Sequence, residues 1–232
     1  ITNKPDSKFL SVLRDHAVKT NKDWSEKLGI PQSTAVTCCK PSGTVSQLTD
    51  AASGIHARHS QYYIRTVRCD IKDPITKLMQ DAGIPNEPEK FHPDRVVVFS
   101  FPMKAPPDAV TRNDMTAIEQ LDMWKTYALN WTEHKPSVTI SVRDNEWVSV
   151  GAWVYDNFDI CSGISFLPHS DHIYDQAPYQ DCTKEQYEEL LAKMPKGVDW
   201  SQISTYESQD NTTGSQQLAC TAGVCEVVDL VQ

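Results

Sequence analysis

Hydrophobic and polar positions follow two periods along this chain. Phe9, Leu10, Leu13 and Ala17 recur at helical spacing, and Trp24 and Leu28 extend the stripe less regularly, which predicts an amphipathic helix over 6–28. Gly29 and Pro31 stop it. Thr34-Ala35-Val36-Thr37-Cys38-Cys39 reads as a strand, and Val45-Ser46-Gln47-Leu48 opens a short helix. A second strand is expected over 61–68, from the β-propensity of Tyr62, Tyr63, Ile64 and Val67. Asp73 as N-cap and Pro74 in the first turn start a short helix over 74–82, ended by Gly83. The nearly continuous apolar run at 95–101 predicts a strand buried on both faces, as in a parallel sheet. Residues 114–131 form the strongest helical pattern, carried by Met115, Ile118, Leu121, Ala128 and Trp131. A strand over 137–142 and a helix over 147–158 follow. The stretch 161–182 reads as irregular, with Ile164, Phe166 and Leu167 apolar enough to pack. Thr183 caps a helix over 184–194.

Alternating helices and strands predict an α/β fold with its strands in the core. From 204 to 217 the chain is rich in Ser, Thr, Gln and Asn, a composition that buries little apolar surface and suits a flexible linker. This divides the chain into 1–203, a folded part, and 204–232, a tail ending in Cys220 and Cys225. With 232 residues and 39 % hydrophobic content the chain can bury a sizeable core. A formal charge of −9 argues against a general nucleic-acid binder. No apolar run reaches membrane-spanning length, and no opening segment reads as a secretory signal, so a cytoplasmic location is expected. The chain opens on Ile1 rather than Met, as expected of a processed product or an excerpt of something longer.

The candidate chemistry lies at two places. Lys40-Pro41-Ser42-Gly43-Thr44-Val45 joins the expected strand to the expected short helix. Such a turn can hold an anion: Gly43 permits close backbone approach, Ser42 and Thr44 add hydroxyls, and Lys40 adds charge. The same residues also suit an ordinary capped loop, and the spacing is not that of a Walker loop. Arg58, Arg65 and Arg68 make 58–68 the most basic window, either a wall facing a polyphosphate or a solvated face balanced by carboxylates. The second place is the tail, where Cys220 and Cys225 flank Gly223 at a spacing that permits a reversible dithiol. A stray terminal pair or half of a zinc site are the alternatives. The other thiols, Cys38, Cys39, Cys69, Cys161 and Cys182, read as reduced and partly buried; adjacent Cys38 and Cys39 point to opposite faces of a strand. His169, Asp171 and His172 match no strong zinc spacing, so no metal is assigned.

Lys40-Pro41-Ser42-Gly43-Thr44-Val45, then Ser53-Gly54-Ile55-His56, then Tyr62-Tyr63-Ile64-Arg65-Thr66-Val67-Arg68, together resemble adenosylcobalamin-dependent (class II) ribonucleotide reductases. The monomeric ribonucleoside-triphosphate reductases are the most similar members. The resemblance covers the C-terminal third or so of such an enzyme. It implies part of a ten-stranded α/β barrel, in which Pro41, Ser42, Gly43, Thr44 and Val45 hold the phosphates of a ribonucleoside di- or triphosphate. It also implies that Cys220 and Cys225 re-reduce the active site and are themselves reduced by a thioredoxin-like protein. Adenosylcobalamin is the implied cofactor, and the N-terminal remainder of the reductase an implied partner. The family's radical cysteine sits in an Asn-x-Cys-x-Glu motif, which this chain lacks, so that role is assigned to no residue here. A non-catalytic nucleotide-phosphate-binding module and a free-standing thiol-disulfide oxidoreductase are the alternative functions.

Overall fold

A computed structural model describes residues 6–43, 45–169 and 174–207. Its α-helices are α1 (Ser7–Leu28), α2 (Val45–Leu48), α3 (Pro74–Asp81), α4 (Ala117–Asn130), α5 (Trp147–Asp156), α6 (Lys184–Lys193) and α7 (Ile203–Tyr206). Its strands are β1 (Tyr62–Asp70), β2 (Asn86–Pro88), β3 (Val96–Lys104), β4 (Thr139–Val142), β5 (Ser165–Pro168) and β6 (Tyr179–Asp181). They belong to two compact units, each assembled from two stretches of chain: the described residues of Ile1–Gln61 and Lys104–Ile173, and those of Tyr62–Met103 and Tyr174–Gln232.

The first unit is built around α4 and a parallel pair of strands. Thr116 and Glu119 form a reciprocal capping box that starts α4. The helix presents Ala117, Leu121 and Trp124, all fully buried, to Val138, Ile140 and Val142. Strand β4 pairs in parallel with β5 from Thr139 opposite Ser165 to Val142 opposite Pro168. Parallel neighbours need a crossover, and α5 supplies it. The stretch 161–182 is therefore not irregular throughout: it holds β5 and β6, each only three or four residues long, too short to leave a period in the sequence.

Helix α1 begins on the Asp6 carboxylate, which accepts the Lys8 N–H, and ends on Gly29 at φ 65°. The expected stripe of Phe9, Leu10, Leu13 and Ala17 is split by its packing on α4. Leu10 is buried and Ala17 half-buried, whereas Phe9 and Leu13 are exposed. Polar anchors set this rotation: Ser11 donates to the Asn130 side chain at 3.2 Å, and Arg14 donates to the Leu129 carbonyl at 3.3 Å.

The expected strand at 34–39 is a correction. The segment joins no sheet, because its polar groups are taken by one loop on the far side of α4. Thr37 and Cys39 carbonyls accept from the Glu133 and Ser137 N–H groups, each at 3.0 Å. The Glu133 carboxylate returns to the N–H groups of Val36 and Thr37 at 2.8 and 3.1 Å. Side chain and backbone thus do for this segment what a strand partner would have done.

In the second unit the sheet order is β2-β3-β1-β6. The apolar run at 95–101 is a strand, as expected, and Val98 and Phe99 are fully buried. Its pairing with β2 is antiparallel, not parallel, as is that of β1 with β6. Two helices pack on its inner strands, α3 through Met79 against Val97 and Phe99 of β3, and α6 against β1. Asp73 and Pro74 start α3 as the sequence predicts, and Thr183 and Gln186 close a capping box on α6. Tyr187 of α6 rests on Tyr62, with ring centroids 5.2 Å apart. The first residues of the stretch assigned to a linker are helical, since α7 runs to Tyr206 and its hydroxyl donates to Asp81 at 3.1 Å. No helix among the described residues is long and apolar enough to cross a membrane.

Trp124 carries the first unit's core. It is fully buried, its indole N–H reaches the Pro136 carbonyl at 3.0 Å, and Trp153 stands edge-on at 6.3 Å. Trp124→Ala is expected to lower unfolding free energy by about 3–5 kcal/mol, as read by denaturant titration. A loss within experimental error of zero would show that the cluster does not hold the unit together.

Candidate functional site

The loop at 40–43 lies between the pinned segment 34–39 and α2, and its shape is set from outside. Gly54 sits at φ +59°, and a Cβ there would stand 2.9 Å from the Lys40 carbonyl oxygen, closer than real side chains come. Only a glycine lets the two backbones meet. The neighbouring Ser53 hydroxyl accepts the Ser42 N–H at 2.9 Å. The Ser42 hydroxyl in turn accepts the Ser46 N–H at 3.3 Å, and the Ser42 carbonyl accepts from Val45 at 3.2 Å. Ser42 therefore caps α2. That helix has four residues, so its macrodipole adds little, and the loop's own donors must carry any attraction for an anion.

Gly43 adopts φ +59°, and nothing lies within 4 Å of where its Cβ would be. The turn is thus both left-handed and open on that side. Thr44 lies outside the described residues, as do Cys220 and Cys225 of the tail.

His56 fixes the other side of this loop pair. Its Nδ1 lies 2.7 Å from the Ser53 carbonyl, and its Nε2 accepts the Thr139 N–H at 3.0 Å. An acceptor at Nε2 and a donor at Nδ1 define a neutral imidazole protonated on Nδ1. The ring ties Ser53, and through it Ser42, to the start of β4. The Ser53-Gly54-Ile55-His56 spacing in the resemblance is the sequence signal that these residues act on the loop.

The basic window divides. Arg58 is only 4 % exposed and donates to the Ala51 carbonyl at 2.8 Å and to the Asp50 carboxylate. Its backbone bridges Val110 and Arg112. It is a structural staple within the first unit, not part of a wall facing phosphate. Arg65 and Arg68 lie in the second unit. The Arg65 guanidinium stacks 4.4 Å over Tyr179 and donates to Pro178, and Arg68 donates to Gln176 with Glu89 at 3.8 Å.

The thiols divide as well. Cys39 packs against the first unit's core, and burial, then the neighbouring Cys38, pushes its thiol up. Burial likewise raises Cys69, Cys161 and Cys182. Thiols held in the protonated form are poor nucleophiles, which suits a packing role. Cys38 is exposed, and its carbonyl accepts the Trp131 indole N–H at 3.2 Å. His169 pairs with Asn113 at 3.1 Å; Asp171 and His172 lie outside the described residues.

No protein-family model matches the chain. Individual relatives do. It is 33 % identical over 204 residues to an adenosylcobalamin-dependent ribonucleoside-triphosphate reductase of Euglena gracilis, covering 87 % of this chain and 28 % of that protein. It is 30 % identical over 190 residues to a probable enzyme of the same name from Dictyostelium discoideum, covering 79 % and 24 %. With that of Lactobacillus gasseri the figures are 26 % over 224 residues, covering 95 % and 30 %. The fold matches the crystal structure of a B12-dependent (class II) ribonucleotide reductase at a TM-score of 0.71 and 26 % identity, over 88 % of this chain and 29 % of that one. The chain thus spans less than a third of the length of these relatives. Its mixed α/β fold is that of a ribonucleotide reductase. By sequence and by fold the chain is similar to the adenosylcobalamin-dependent (class II) branch, and the relatives named here are ribonucleoside-triphosphate reductases.

The Glu133 carboxylate gives the site a pH dependence. N–H donors from Val36 and then Thr37 hold its acidity above that of an ordinary carboxyl, so its pKa is lowered in the folded chain. The stabilisation is complete above about pH 4.3, the unfolded value, and fades as pH falls through the lower folded value. Wild type and Glu133→Gln should differ most in melting temperature near neutral pH and converge in acid. A gap that stays constant from pH 7 to below pH 3 would show that the carboxylate's charge does not pin the segment.

Proposed function

We propose that this chain forms the C-terminal part of an adenosylcobalamin-dependent ribonucleotide reductase, which converts ribonucleotides to 2′-deoxyribonucleotides. In this reading Pro41, Ser42, Gly43, Thr44 and Val45 hold the substrate's phosphates. Cys220 and Cys225 return electrons to the active site after each turnover, drawing them from a thioredoxin-like reductant. The observation that carries the loop assignment is the open, left-handed turn at Gly43, held against Ser53 and Gly54 so that one side of its backbone stays uncovered. Among the described residues the Gly43 N–H has no acceptor, which leaves it for a phosphate oxygen.

The relatives are named for adenosylcobalamin, which supplies the radical initiation in such enzymes. The cavity lined by Lys135, Ser137, Val138, Gly163, Ile164 and Ser165 measures about 230 Å³, below the ~300–1,000 Å³ of pockets for drug-sized ligands, and a corrinoid is larger than those ligands, so that cavity does not fit the group. No residue of this chain is assigned to the cofactor or to the radical cysteine, and no step is routed through them.

Two variants of the full-length enzyme test the reading. Gly43→Val places a branched side chain on the open face, and should weaken substrate binding by roughly 1–3 kcal/mol, read from substrate affinity. If affinity holds and only the melting temperature drops, Gly43 is a turn residue and nothing more.

Cys220→Ser with Cys225→Ser separates the routes of reduction. The pre-reduced double variant should complete one turnover. Further turnovers with thioredoxin should fail, because a folded reductant cannot enter a buried site, while a small dithiol should restore much of the rate. Wild-type turnover with thioredoxin would remove the tail from the mechanism.

A further inference from the structure

The imidazole of His56 sits between two backbone groups that admit only one protonation state. The Ser53 carbonyl, 2.7 Å from Nδ1, can only accept, and the Thr139 N–H, 3.0 Å from Nε2, can only donate. Both partners are anchored. Thr139 opens β4, whose next residue, Ile140, is fully buried, and Ile55, beside the histidine, lies in the same core cluster. The Ser53 carbonyl also accepts the His56 backbone N–H at 3.1 Å, which closes the 53–56 turn under the ring.

The Nε2 lone pair completes one edge of β4. Val138 and Val142 turn their carbonyls to the β5 side, accepting from Ser165 and His169, so the alternate residues turn their N–H groups the other way. There Ser137 donates to the Cys39 carbonyl at 3.0 Å, Ser141 to the Gln120 side chain at 3.1 Å, and Thr139 to His56. A protonated ring would point an N–H at the Thr139 N–H, leaving two donors face to face with no acceptor between them. Neither β4 nor β5 carries a titratable side chain. The surrounding segments carry Lys40 on the loop, Glu133, His134 and Lys135 ahead of β4, and Asp50, Arg58 and His59 in the ring's own stretch. Both carboxylates are engaged, Asp50 by Arg58 and Glu133 by Val36 and Thr37, so neither is free to meet a charged ring.

We propose that His56 is a positioning residue for the 41–45 loop, and that it holds the loop in its phosphate-binding shape only while its ring is neutral. The route is short: the ring fixes Ser53, the Ser53 hydroxyl accepts the Ser42 N–H at 2.9 Å, and Ser42 leads into the Gly43 turn. This rests on the loop assignment above. It adds a loss of substrate affinity in acid, set by a residue outside the loop.

The test follows affinity for a ribonucleoside triphosphate in the full-length enzyme from pH 8 to pH 5, the range in which histidine side chains change charge. Phosphate titrates there too, so the quantity read is the ratio of wild type to variant at each pH. In His56→Gln the amide oxygen can accept the Thr139 N–H and gains no proton. Wild type should match it within about twofold at pH 8 and bind about 10-fold more weakly by pH 5. Ser53→Ala cuts the route at the hydroxyl. Its deficit against wild type should be about 10-fold at pH 8 and vanish by pH 5. Hydrogen exchange of residues 40–49, compared at matched pH, should quicken in acid in wild type but not in His56→Gln. Exchange that is the same in both proteins at every pH, or a Ser53→Ala deficit that stays constant, would overturn the proposal. So would a flat ratio to His56→Gln in an enzyme that Gly43→Val still weakens. Failure of the loop reading looks different: Gly43→Val would leave affinity unchanged, while exchange of 40–49 still followed pH in wild type alone.

Discussion

The missing side chain at Gly54 is the constraint on which the site depends. Because the 53–54 backbone can lie against Lys40, the Ser53 hydroxyl reaches the Ser42 N–H, and because it does, the Gly43 turn is held open rather than collapsing onto its neighbours. Any other residue would have to push back a carbonyl oxygen that stands 2.9 Å away. The loop is therefore not a free-standing motif. It is one half of a two-loop clasp, whose other half reaches β4 through the imidazole of His56.

A second layer of restraint lies behind the clasp. The segment 34–39 supplies the loop with a fixed base, yet it gains no regular hydrogen-bond ladder. It relies on one carboxylate, Glu133, and on two carbonyl bonds to the chain leaving α4. Charge-assisted bonds to N–H groups are stronger than neutral ones, which lets a few of them replace a strand neighbour. This arrangement leaves Cys38 exposed and Cys39 inward, the alternation expected of an extended chain, without a strand on either side.

Much of this was legible in the sequence, and the parts that were not share a cause. Local signals worked where the deciding contacts are local: Asp73 with Pro74, Thr183 ahead of α6, and Gly29 after Leu28 all mark helix ends that the structure keeps. They failed where partners far along the chain decide. The β-prone residues at 34–39 have no strand to pair with, the three- and four-residue strands β5 and β6 are too short to show a period, and the antiparallel partner of β3 is a three-residue strand. The site followed the same division. The turn at Gly43 was visible from its own residues; the burial of Arg58, the anchoring by Glu133 and the bond from Thr139 to His56 depend on residues about fifty to a hundred positions away.

Those long separations have a consequence during synthesis. Thr37 lies 96 residues before Glu133. At translation rates of about 5–20 residues per second, the base of the loop waits on the order of 5–20 s for the carboxylate that will hold it. Over that interval Val36 and Thr37 are a β-prone stretch with its backbone groups met only by water. A growing chain in that state offers an unpaired edge to any strand that passes, its own or a neighbour's. The charges that flank it, Lys27 and Glu26 on one side and Lys40 on the other, are then its protection against aggregation before they have any part in a finished fold.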